Sequence, residues 1–184
     1  MQSVLRSIKP YWLYLILIGK KTVEVGKDFP KSASWNREVY LYCSKDRKSF
    51  NRIPKEDQKW MRKHLGKIAC RFVCGEIVHL DSYFFESADC MQTYEELIST
   101  CLSWQEINDY AAGREVLYGW RISALDVFIE PMELKVAKRS CNGNCLSCKY
   151  GVWEYPNHIY EEQRVVGCKP ITPPQSWRYV EVRG

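Results

Sequence analysis

The chain has no apolar stretch long enough to cross a membrane as a helix. Its longest, Tyr11–Ile18, is eight residues, against the roughly 20 that a helical span needs. Its start lacks the charged lead, apolar core and small-residue cleavage site of a secretory leader, so a cytoplasmic protein is expected. Acids are scarce in the first third: Met1–Lys67 holds 16 Lys/Arg against 6 Asp/Glu, whereas the remainder holds 11 against 16. That shortage leaves a basic region able to track a phosphate backbone, although the net charge of the whole is only +5. Apolar residues are not scarce, and at 46% of the chain, with 14% aromatic, they exclude general disorder. The 184 residues suffice for a single domain, 1–184, with a real core. Nine cysteines, an odd number with several inside strand-like segments, suit a reducing compartment better than a disulfide scaffold.

The stretch Ser7–Lys27 is where the chain is organised. Pro10 suits a first helical turn, because the N–H it lacks would be unpaired there. Gly19 sits where a helix ends in a left-handed residue. Val23 and Val25 then share one face of a strand, and Thr22, Glu24 and Gly26 the other. Lys20, Lys21, Thr22 and Glu24 are thereby gathered where a helix hands over to a sheet. Such a corner is either a solvated turn or a polar pocket for an anionic or nucleobase ligand.

Further along, Asp28–Asn36 is a loop and Glu38–Cys43 an alternating strand. Ser44–Arg52 is a basic loop around Phe50, either merely exposed or able to cover phosphate and stack a base. Pro54–Leu65 is a helix stopped by Gly66, with Glu56 and Asp57 at its positive end. Lys67–Leu80 is the longest strand pattern and puts Ile68, Cys70, Phe72 and Cys74 on one face. Glu76 either joins that face, as a buried acid or base, or is turned outward by a bulge at Gly75. Thr93–Leu102 and Trp104–Ala112 are two short helices capped by Thr93 and Ser103. Glu76–Glu115 holds nine acids and one arginine, a poor place for nucleic acid. Leu117–Phe128 is a strand ended by Pro131, and Trp177–Val182 is the closing strand.

Between those two strands, Arg139–Lys169 forms a cysteine-rich insertion. Cys141-x3-Cys145-x2-Cys148 is followed after 19 residues by Cys168. Four thiolates from two turns form a closed, hence structural, tetrahedral zinc site, and the metal would fold a segment too small for its own core. His158 could replace one cysteine. An iron–sulfur cluster or four reduced thiols are the alternatives.

Ile8–Pro10 (IKP), Gly19–Val25 (GKKTVEV), Trp120–Pro131 (WRISALDVFIEP) and Pro173–Val180 (PPQSWRYV) together resemble the ASCH group of the PUA-like superfamily. The version is similar to forms common in phages and mobile elements. The resemblance implies an α+β fold: a mixed β-barrel with short helices packed at its ends. It also implies binding of RNA or a modified nucleotide. Some bacterial members are amidohydrolases on acetylated cytidine, and one other is a ribonuclease. In the amidohydrolases a lysine before the motif threonine, a second threonine and a distant glutamate act. Lys21 matches the lysine, but the second threonine is Glu24 here and the distant glutamate is unassigned. The arginine that usually follows the motif's E-x is Gly26, so a planar bidentate donor is missing.

Three readings follow. In the first, a binding module holds RNA or a nucleotide near Lys9, Lys20, Lys21, Thr22 and Glu24, with Trp35 or Trp177 stacking on a base. In the second, a hydrolase uses Lys21 with Glu24 or Glu76, which requires Lys21 to be partly buried within reach of one carboxylate. In the third, an adaptor meets a protein partner through its acidic helical face and cysteine loop.

Overall fold

The computed structural model describes residues 3–30, 36–81, 91–139, 151–154, 164–168 and 172–182. Its centre is a mixed sheet of seven strands. They are β1 (Ser3–Ile8), β2 (Val23–Gly26), β3 (Arg37–Cys43), β4 (Lys67–Asp81), β5 (Val116–Glu133), β6 (Ala137–Arg139) and β9 (Trp177–Val182). They lie in the order β2-β5-β4-β3-β1-β9-β6, and β7 (Gly151–Glu154) pairs with β8 (Arg164–Cys168) in a separate hairpin. Among the described strands of this sheet, only β1 and β3 run parallel to each other. Among the described residues five α-helices accompany the strands: α1 (Pro10–Leu17), α2 (Arg47–Phe50), α3 (Lys55–Met61), α4 (Met91–Thr100) and α5 (Trp104–Ala111). The α+β class is as expected. The hydrogen-bonded ladder is not closed among the described residues, and none of their helices is long and apolar enough to cross a membrane.

The largest core cluster joins Leu13 and Ile16 of α1 to Val4 and Ile8 of β1, Val39 and Leu41 of β3, and Phe72 of β4. Burying a side chain of this size contributes about 1.5–3 kcal/mol, so this cluster is a principal source of the fold's stability. Pro10 opens α1, and Gly19 beyond its end adopts φ +74°, the left-handed turn that sends the chain into β2.

Several details depart from the sequence reading. Strand β1 was not expected, and its central place arises from parallel pairing with β3, a long-range contact invisible in a six-residue window. The basic loop contains α2, because the Asp46 carboxylate accepts from the Ser49 N–H and caps a helical turn. Phe50 is buried within that turn and is no stacking platform. Thr93 lies inside α4 rather than at its cap, whereas Ser103 forms a full capping box with Glu106. Pro131 does not end β5. It falls in a stretch where the β4–β5 register shifts, so its missing N–H breaks no ladder bond. The same irregularities separate Ile68 from Cys70, which join different clusters.

Candidate functional site

Strands β2 and β1 stand four places apart in the sheet order, yet the Arg6 Nη2 donates to the Val25 carbonyl at 2.6 Å. The sheet therefore curls until its first strand faces its fifth. A side chain, not a backbone ladder, bridges the seam. A cleft of about 480 Å³ opens at this seam, within the size range of small-ligand sites. Its floor comprises Arg6, Lys21 and Glu24; Trp12 and Tyr110 form walls, and Arg52 lies at the rim.

Lys21 reaches the floor because Gly19 turns the chain under α1. The Lys21 side chain is 1% exposed. Its Nζ donates to the Thr100 carbonyl at 2.6 Å, and it stands 3.4 Å from Glu24 Oε2. Burial holds the Lys21 pKa below its ordinary value, the Glu24 charge opposes that shift, and nearby Arg6 reinforces it. On the other side, Arg6 donates from Nε and Nη2 to Glu24 Oε1, each at 3.3 Å. All of these carboxylate contacts exceed the 2.7–2.9 Å of a tight charge-assisted bond, so neither cation fully claims Glu24.

Arg6 is a residue that the sequence reading missed. It shares a strand face with Val4 and Ile8, both core members, and is only 3% exposed. Its guanidinium lies 4.9 Å from the Trp120 ring centroid. A β-carbon on Gly26 would stand 3.0 Å from Arg6 Nη1 and 3.0 Å from Trp120 Nε1. The missing side chain at position 26 thus makes room for a guanidinium delivered from another strand. An arginine at a core-facing position of a short β-rich run was the available signal.

Trp12 was missed for a different reason, since it looked like one more apolar residue of α1. Arg52 stacks over Tyr11 and Trp12 with its Cζ 4.0 and 4.7 Å from their centroids, and it pairs with Glu106 of α5 at 3.0 Å. The Trp12 indole also has Lys21 Nζ 5.6 Å from its centroid.

The remaining residues fall in different places. Lys9 lines the cleft from its edge, largely exposed and 4.0 Å from Asp46. Lys20 and Thr22 are exposed and do not line it. Glu76 is turned outward by the register shift around Gly75, as the bulge alternative held, and pairs with Arg121 at 2.7 Å. It is thus not brought together with Lys21. Trp177 donates from Nε1 to Asp28 at 2.7 Å and packs on Trp120, and it does not itself line the cleft. Trp35, Cys141, Cys145, Cys148 and His158 lie outside the described residues, while the backbone of Cys168 ends β8. Among the described residues no group of His, Cys, Asp and Glu is arranged to hold a metal.

No protein-family model and no curated protein matches this sequence. Solved structures do. An ASCH protein from Zymomonas mobilis aligns with a TM-score of 0.51 and 18% identity, over 72% of this chain and 73% of that one. A serine-to-alanine variant of the Zymomonas protein aligns with a TM-score of 0.56 and 14% identity, over 97% and 88% of the two chains. A tyrosine-to-phenylalanine variant gives 0.50 and 19%, over 72% and 76%. The chain therefore has an ASCH-type fold. At such identities the likeness speaks to fold alone.

Proposed function

We propose that the protein binds RNA or a nucleotide by taking one nucleotide unit into the seam cleft. The observation that carries the reading is the pairing of a buried Lys21–Glu24 floor with an aromatic wall at Trp12 in a cleft of about 480 Å³. A base stacks on the indole, and the floor and rim cations meet the phosphate. Trp12 takes the stacking role in place of Trp177, which does not line the cleft. A panel of nucleoside monophosphates and a short single-stranded RNA tests this by calorimetry at low and high salt. Binding should weaken as salt rises, because phosphate contacts release counterions. Trp12→Ala should reduce affinity about tenfold, the low end of one base–aromatic stack. A chain that binds none of these ligands, or whose Trp12→Ala variant binds them unchanged, does not work this way.

The hydrolase alternative is supported by the meeting of Lys21 and Glu24, since a buried lysine of lowered pKa beside a carboxylate can activate water or attack a carbonyl. Chromatography of acylated nucleosides incubated with the protein, with Lys21→Ala as control, separates turnover from binding alone. Glu76 drops out of this reading because it does not line the cleft and pairs with Arg121 instead.

We further propose that Cys141, Cys145, Cys148 and Cys168 hold one structural zinc. The β7–β8 register supports this reading by setting Cys168 opposite Gly151, three residues along the chain from Cys148. Native mass spectrometry should find a mass excess of one zinc that Cys148→Ser lowers or abolishes. A metal-free mass would remove the assignment and favour the protein-partner reading.

A further inference from the structure

The cleft floor holds two buried cations and one carboxylate. Arg6 and Lys21 flank Glu24, with side-chain exposures of 3%, 1% and 9%. The other acids facing the cleft do not redress the imbalance. Glu106 on α5 is engaged by Arg52 at 3.0 Å, and Asp109 accepts from Gln105 at 2.8 Å. Beyond the cleft lining, Asp28 accepts from Trp177. A buried excess of positive charge is costly unless it is neutralised by deprotonation or by an incoming anion.

Arg6 shows where an anion would be received. Its Nε and Nη2 edge is turned to Glu24 and the Val25 carbonyl, while Nη1 is buried without a hydrogen-bond partner. The guanidinium is planar, so Nη1 points away from the edge that Glu24 occupies. Tyr110, a cleft wall, also meets the Arg6 side chain: burial raises its hydroxyl pKa, and the charge and a side-chain hydrogen bond of Arg6 oppose that shift. The long Lys21–Glu24 and Arg6–Glu24 contacts leave Glu24 a loose partner of both cations, which the Thr100 and Val25 carbonyls hold in place at 2.6 Å.

We infer that this floor is an anion site, in which a phosphate or carboxylate of the ligand settles beside Glu24 against the Arg6 and Lys21 side chains that line the cleft. The inference rests on the seam cleft being the ligand site and adds the ligand's charge class and its orientation, anion at the floor and base at Trp12. Gly26 is part of the device, since a side chain there would displace the guanidinium.

The test uses inorganic phosphate and acetate as probes, followed by a nucleoside and its 5′-monophosphate. In the unmodified protein the Trp120 indole N–H resonance, assigned with Trp120→Phe, reports on the guanidinium stacked over its ring and should shift to saturation with phosphate. Lys21→Met and Arg6→Lys should each weaken phosphate at least about tenfold, the scale of one lost hydrogen bond to a charged group. A shift with phosphate alone marks the site for phosphoryl groups; an equal response to acetate marks it for carboxylates. If neither anion moves the resonance, or if Lys21→Met binds phosphate as tightly as the parent, the anion site is overturned. A nucleoside that binds while both anions fail overturns this site and leaves the nucleotide reading standing. Anions that bind through Arg6 and Lys21, with the nucleotide no tighter than inorganic phosphate, uphold the site and end the nucleotide reading.

Discussion

Glu24→Ala is expected to lower stability by about 3–5 kcal/mol, the scale for removing the shared partner of buried charges. A typical domain has a total of about 5–15 kcal/mol, so the variant would sit near the edge of folding. The reason lies in the floor of the cleft. Glu24 is the acceptor for Arg6 Nε and Nη2 and the nearest carboxylate to Lys21 Nζ. Without it, one or two cations remain out of water with no counter-charge. Lys21→Met should behave differently, changing stability by no more than about 1 kcal/mol, because it leaves the balanced Arg6–Glu24 pair and removes the excess charge. The Thr100 carbonyl would lose its donor in that variant, which offsets part of the gain. Urea unfolding of both variants checks the contrast. Equal losses in the two would mean that Lys21 and Glu24 act as a tight pair with Arg6 a bystander.

Acid should destabilise the protein through His64. This residue is 1% exposed, its Nδ1 has no partner, and it meets the Trp60 ring edge-on at 5.6 Å. Burial, with a smaller contribution from Lys63, pushes its pKa down to about 4. The unfolded chain protonates near about 6.5, so between these values it binds more protons than the folded one and stability rises with pH. His64 therefore imposes no penalty above about 6.5, and the loss grows as pH falls toward about 4. Below that the loss levels off at roughly 3 kcal/mol. Denaturant midpoints measured across that window should slope steeply in the parent and much less in His64→Leu. Parallel slopes would place the acid sensitivity elsewhere.

Local chemistry made much of the scaffold legible. Pro10 and Gly19 bound α1, Glu56 and Asp57 mark the start of α3, Ser103 caps α5, and alternation marks β3 and most of β4. Each signal is carried by neighbours in the chain, and the tertiary fold did not override them. Legibility failed where partners are distant. β1 is six residues long and is stabilised by β3 and β9, so neither a cap nor a long period announces it. With β1 unread, Arg6 had no place in the site.

Lys21 and Glu24 could be named from their residues and spacing, because a helix stop followed by a short strand puts them side by side. Their burial, and the approach of Arg6 from across the seam, could not. Glu24 and Arg6 are 18 positions apart, on strands that no ladder joins. The outward turn of Glu76 likewise required the register shift between Cys74 and Ile77, which depends on the pairing of β4 with β5. Residue types and short spacings therefore determined the elements and half of the candidate site, because those depend on backbone propensity and caps. The cleft, its charge imbalance and the bridging guanidinium were decided by the curl of the sheet, which brings together groups that desolvation and Coulomb attraction couple only at close range.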